Sequence, residues 1–182
     1  MPATDHATAY SATAKALHWL VAALLAAQYV TAWLLPHIGR HTPPSAVIDL
    51  HFSLGVVILL VMLVRLAYRL LHPVALEAGD AAPWERLLAR TTHWLIYLIL
   101  IVSPVLGWLS ASAHRLPVSV FGLVTLPDLV APGTGWAHEA GDIHGTAMWA
   151  LLWLLGLHAA AALYHHLVRR DGTLRRMLPA AR

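Results

Sequence analysis

Of 182 residues, 59% are hydrophobic and only 12% are charged, a charge fraction about half that of a soluble domain, so the chain reads as an integral membrane protein. The formal charge of +3 is carried by residues better read as topology signals than as a nucleic-acid footprint, and no nucleic-acid partner is expected. The chain has no cysteine, which excludes disulfides, thiolate zinc sites, iron–sulfur clusters and thioether-linked haem. The 13 histidines remain as the plentiful metal ligands.

In chain order, residues 1–13 are small and polar and form a loose end. The apolar run over about 16–35 is long enough to span a bilayer. Lys15 ahead of an Ala-rich core would also suit a cleaved signal peptide, but three further apolar segments favour a first membrane helix. Pro36, Pro43 and Pro44 punctuate the loop that follows. A second helix is expected over about 47–71, closed by Pro73. The stretch 77–90 carries charges of both signs and reads as a loop with an amphipathic turn around Trp84–Leu88. A third helix covers about 91–112, interrupted by Pro104 and Gly107, residues that membrane helices tolerate. From His114 to Gly141 the Gly- and Pro-rich chain reads as the longest extramembrane loop, and a fourth helix covers about 142–168 before a short basic tail. The expected fold is all-α: one integral membrane four-helix domain over 1–182.

Orientation follows from the basic residues. Lys15, Arg65, Arg69, Arg86, Arg90, Arg169, Arg170, Arg175, Arg176 and Arg182 fall on one side, against Arg40 and Arg115 on the other. By the positive-inside rule both termini are cytoplasmic. His144 and His158, on the fourth helix, are then about 21 Å apart and within roughly 40° of one face. Histidines inside membrane helices are costly and face protein, water or a cofactor. Matching depths pairs His51 with His144 near the outer face and His18 with His158 near the cytoplasmic face. Two imidazoles on facing helices can fill both axial positions of a haem iron. Gly55, Gly145 and Gly156 would leave gaps for a flat porphyrin, and would equally suit close helix packing.

Arg65 lies on the face of His51 at the depth of the inner pair. It, or Arg69 one turn on, is expected to pair with the inner haem's propionates; a snorkelling topology role is the alternative. His165, two turns beyond His158, could meet a propionate or a quinone head group, whereas an interfacial histidine without a task is the plainer reading. His93 is a weaker rival for the inner ligand. His6, His37, His41, His72, His114 and His138 read as loop residues. No catalytic side chain is singled out.

Several short motifs stand in a specific order: A-L-H-W-L at His18, L-H-F-S-L-G at His51, H-W-L-I-Y-L at His93, F-G-L-V-T-L-P from Phe121, and G-L-H-A-A-A-A-L-Y-H-H with His158 and His165, followed by D-G-T-L-R-R-M. Together they resemble the prokaryotic di-haem cytochrome b-561 family over nearly the whole chain. The resemblance implies a four-helix bundle in the bacterial cytoplasmic (inner) membrane, two non-covalent b-type haems held by His18, His51, His144 and His158, and a ubiquinone site. At the outer ligand this chain reads I-H-G-T-A, where relatives carry a bulkier, acidic W-H-E-T-L. Some relatives oxidise superoxide outside and reduce ubiquinone, and this is the first function expected. The alternative is a haem-bearing conduit or anchor passing quinol electrons to a periplasmic redox partner. A His-lined metal transporter would need polar groups at successive depths, and the membrane segments have few acids.

Overall fold

The computed structural model describes residues 10–39, 42–73 and 82–178. His6, Arg40, His41, Arg182 and the start of the 77–90 stretch lie outside the described residues. Four helices are long and apolar enough to cross a membrane: α1 (Ala12–Trp33), α2 (Ala46–Leu71), α3 (Pro83–Ala113) and α4 (Gly135–Tyr164). A small antiparallel hairpin, β1 (Ser119–Val120) and β2 (Val124–Thr125), lies between α3 and α4 and pairs Ser119 with Thr125.

Local chemistry sets the helix starts. Ser11 Oγ accepts the Ala14 N–H and Ser45 Oγ accepts the Ile48 N–H, each satisfying a donor that has no intrahelical partner. At α3, Pro83 occupies a first-turn position that needs no N–H, and Glu85 Oε2 accepts the Ala82 N–H at 2.9 Å. The charged stretch read as a loop up to residue 90 is therefore helical from Pro83 onward. Its Glu85 also receives Arg169 Nη1 at 2.8 Å, tying the start of α3 to the segment after α4. Likewise α4 starts at Gly135 instead of about residue 142, taking His138, Glu139 and Asp142 into the helix. Both differences share one cause. Hydropathy reports the apolar span, and a helix can continue past it where its side chains meet water.

α4 runs into a π-turn over His165–Arg169, stopped by Arg170 in the left-handed conformation. The chain then folds back so that Trp19 Nε1 donates to the Met177 carbonyl at 2.8 Å and Lys15 Nζ to that of Leu178 at 3.0 Å. This is the terminal end of the bundle. At the hairpin end, buried Ser53 on α2 accepts the Phe121 N–H at 2.8 Å, and its hydroxyl lies 2.9 Å from the Ser119 carbonyl.

α3 packs most extensively on α4, α1 on α2, and α2 on α3. Backbones of α1 and α2 make no comparable approach to α4 among the described residues. The core is correspondingly small: Val21, Leu25, Ile58, Met62, Tyr97, Leu100 and Leu151 form its buried centre. Large apolar side chains such as Trp33, Leu71 and Trp153 point outward, which suits a lipid environment and no aqueous one.

Small residues set the α3–α4 distance. A Cβ added at Gly141 would lie 2.6 Å from Ser110 Oγ and 3.3 Å from Ser110 Cβ. Gly141→Ala should therefore lower the thermal unfolding midpoint of the detergent-solubilised protein, at a cost of about 1–3 kcal/mol. Adding Ser110→Ala should recover part of that loss.

Candidate functional site

The space between α4 and the α1–α2 hairpin is bridged by two pairs of imidazoles. At the hairpin end, His51 of α2 and His144 of α4 have ring centroids 6.3 Å apart. At the terminal end, His18 of α1 and His158 of α4 are 6.2 Å apart. Rings that each bind a shared metal from opposite sides, with metal–nitrogen bonds of about 2 Å, have centroids roughly 6.3 Å apart. His93 of α3 stands 5.2 Å from His158, too close to share a metal in that manner. Among the described residues no three His, Cys, Asp or Glu side chains converge as a metal cluster. Two imidazoles alone leave a metal short of ligands, and a porphyrin would supply the rest.

The hairpin-end rings are held in a defined tautomer. Thr31 Oγ1 donates to the Gln28 carbonyl at 2.8 Å, so its oxygen accepts from His51 Nδ1 at 3.2 Å. His144 Nδ1 donates to the Ser103 carbonyl at 2.8 Å. Each ring thus carries its proton on Nδ1 and presents the Nε2 lone pair, as a metal-binding histidine must. Gln28 Nε2 lies 3.3 Å from that lone pair on His51, while Gln28 Oε1 is buried without a partner. A cavity of about 730 Å³ opens here, lined by both imidazoles, Gly55, Gly145 and Trp108, a volume within the usual range of a ligand pocket. Beside Gly145 and Gly156 an added Cβ would meet nothing within 4 Å. The imidazole spacing, the tautomers, the orphaned amide oxygen and the cavity all fit a flat metal cofactor.

At the terminal end, Arg65 sits directly on the pair. Its Nη2 is 3.2 Å from His18 Nδ1, Nε donates to Tyr97 Oη at 3.0 Å, and Nη1 to the Ala14 carbonyl. A guanidinium only donates, so His18 Nδ1 accepts here, and a metal on Nε2 would require Arg65 to release it. Arg69 is one turn away, its guanidinium carbon about 5 Å from the ring centres of Trp94 and Tyr97. His165 is held by Asp171, with Nδ1 2.5 Å from Oδ2. Burial pushes the Asp171 carboxyl up, but hydrogen bonds from His165 and Thr173 more than offset it and hold the group at about 2.

The residues singled out from sequence are thus distributed over two layers, with Arg65 against His18, Arg69 against Trp94 and Tyr97, and His165 after α4. Thr31, Ser103 and Gln28 went unnoticed, since nothing local marks a Thr or Ser as an imidazole partner. Gly107, read as an interruption, lets α3 approach the His144 ring, where a Cβ would sit 3.3 Å from Cε1 and Nδ1. His114 and His138, read as loop residues, cap α3 and lie in the first turns of α4, joined by a 3.0 Å hydrogen bond.

A membrane bundle holding imidazole pairs at this separation has the architecture of a b-type cytochrome. The chain belongs to the prokaryotic cytochrome b561 family, whose pattern it matches over residues 9–180, and membership implies b-type haem. It is 29% identical to cytochrome b561 homolog 2 of Escherichia coli K12, covering 98% of this chain and 95% of that protein. It is 31% identical to the probable superoxide oxidase CybB of Yersinia pestis, over 95% and 97% of the two chains. To cytochrome b562 of Cereibacter sphaeroides it is 28% identical, over 89% and 90%.

Filling the space at Gly107 tests whether α3 seats His144. Gly107→Val should reduce the haem content of the purified protein by up to half, measured by pyridine haemochrome, with helix content unchanged by circular dichroism.

Proposed function

We propose that this single-domain chain is a transmembrane oxidoreductase that takes electrons from superoxide at the outer face and delivers them to ubiquinone. The observation that carries this reading is the pair of imidazole layers, each at metal-sharing separation, at opposite ends of one membrane bundle. His51 and His144 hold an outer haem, and His18 and His158 an inner one. Both termini face the cytoplasm, as the Lys and Arg bias favours, and the membrane is the bacterial cytoplasmic one. The similarity to a probable superoxide oxidase supports the substrate.

Bound haem supplies a reversible one-electron carrier at each layer. Two superoxide anions each give up one electron and leave as dioxygen; one ubiquinone accepts both electrons with two protons and leaves as ubiquinol. The protein's own part is orientation and charge. Thr31 and Ser103 fix the outer imidazoles. Arg65 and Arg69 offset the inner propionates, where an unpaired buried carboxylate would be costly. His165, its Nδ1 tied to Asp171, has Nε2 left to meet a quinone carbonyl or a propionate.

A second reading, a conduit passing quinol electrons to a periplasmic protein, draws on the hairpin, where Phe121, Leu123 and Val124 are exposed. Air-oxidised protein in detergent, given a superoxide source and ubiquinone with and without superoxide dismutase, separates the two. Dismutase-sensitive reduction of the haem α-band and of quinone is expected; reduction by quinol but not by superoxide would replace the first reading with the second. On the ligands, His158→Ala should remove one haem and leave the other with an unaltered low-spin spectrum. A variant that keeps both would refute the inner pairing.

A further inference from the structure

The inner and outer layers differ in how they could neutralise the two carboxylates that a b-type haem carries. The inner pair has Arg65 in contact with His18, and Arg69 lies over the same Tyr97 ring whose hydroxyl Arg65 meets. No Lys or Arg lines the outer cavity among the described residues. Its walls are largely apolar, and the polar groups that line it include His37, His114, His138 and Asp142. A carboxylate in such a pocket needs a donor, and a charged one serves best.

Of these groups, His114 and His138 form a built unit. His114 Nδ1 donates to the Ser110 carbonyl at 2.8 Å, which fixes its proton there. His114 Nε2 is 3.0 Å from His138 Nδ1 and accepts from it. In the neutral pair, the one nitrogen left open is therefore Nε2 of His138, carrying a lone pair and no proton. It cannot donate to a carboxylate until it takes up a proton, and the pair is then cationic.

We propose that His138, with His114 behind it, is the carboxylate-binding and proton-accepting end of the outer pocket, receiving a propionate of the haem held by His51 and His144. This rests on the outer haem assignment made above. The remaining charged groups at this end are few. Asp142 lines the same cavity four residues after His138, His37 faces it from the loop after α1, and Arg115 and Glu139 adjoin the pair in sequence. Asp49 of α2 and Asp128 of the loop after β2 do not line the cavity. A proton on His138 favours the reduced outer centre, because the added electron is stabilised by nearby positive charge. Outer reduction therefore carries proton uptake with it.

The test is a spectroscopic redox titration of the haem-loaded protein at several pH values between about 5 and 8. The outer centre is identified as the one lost in His51→Ala. In the unaltered protein its reduction equilibrium should change with pH, by at most tenfold per pH unit, or about 59 mV. His138→Gln should keep the low-spin outer spectrum, shift that equilibrium about tenfold towards the oxidised form, and flatten its pH dependence. His138→Lys, which stays charged, should restore the position of the equilibrium but not its slope. His114→Phe removes the acceptor, lets neutral His138 carry its proton on Nε2 and donate without taking one up, and should lessen the slope; it serves if His138 variants do not accumulate. An outer centre with unchanged potential and slope in His138→Gln would overturn this inference alone. Loss of no centre in His51→Ala would overturn the outer haem assignment and this inference with it.

Discussion

The structure depends on a separation. α4 lies against α3 but stands off from α1 and α2, and the interval is crossed by two pairs of imidazoles and by Tyr29 of α1, whose hydroxyl donates to the Met148 carbonyl at 2.8 Å. A polar ring inside an apolar bundle is costly unless its nitrogens are satisfied. Here Nδ1 of each hairpin-end ring is satisfied by protein, through Thr31 and the Ser103 carbonyl, and His51 Nε2 has the Gln28 amide 3.3 Å away. Close packing would have been the cheaper arrangement for four apolar helices; the chain achieves it between α1 and α2, between α2 and α3, and between α3 and α4, where Gly141 lets Ser110 approach, but not between α4 and the α1–α2 pair.

The two layers solve the same problem with different chemistry. In the terminal-end layer Arg65 reaches His18, the Ala14 carbonyl and Tyr97 at once, so a single guanidinium links α1, α2 and α3. In the hairpin-end layer hydroxyl and carbonyl groups do the positioning, and glycines at 55, 107 and 145 leave room. A layer holding a guanidinium and a cavity that no Lys or Arg lines among the described residues set different electrostatic environments at the two ends of the bundle.

Much of this was legible in the sequence. Apolar runs bounded by Pro and polar residues located four helices, and the fourteen-residue spacing of His144 and His158 put two histidines on one face. Pairing histidines by depth rests on a membrane sorting residues along one axis. Helix limits were less legible: the starts of α3 and α4 lie where polarity, not backbone conformation, changes. The contact between His114 and His138 could not be read at all. It spans 24 residues of loop and helix and depends on how α3 and α4 pack at their outer ends. Thr31 and Ser103 were hidden for the same reason, as their role exists only across helices.

One consequence concerns biosynthesis. Both imidazole pairs draw one member from α4, the last of the four helices to leave the ribosome. A nascent chain that has inserted α1, α2 and α3 presents His18 and His51 singly, with no opposite ring. Neither imidazole pair can therefore form before α4 is in place, and on the proposed two-haem reading the second histidine of each centre comes from the last helix.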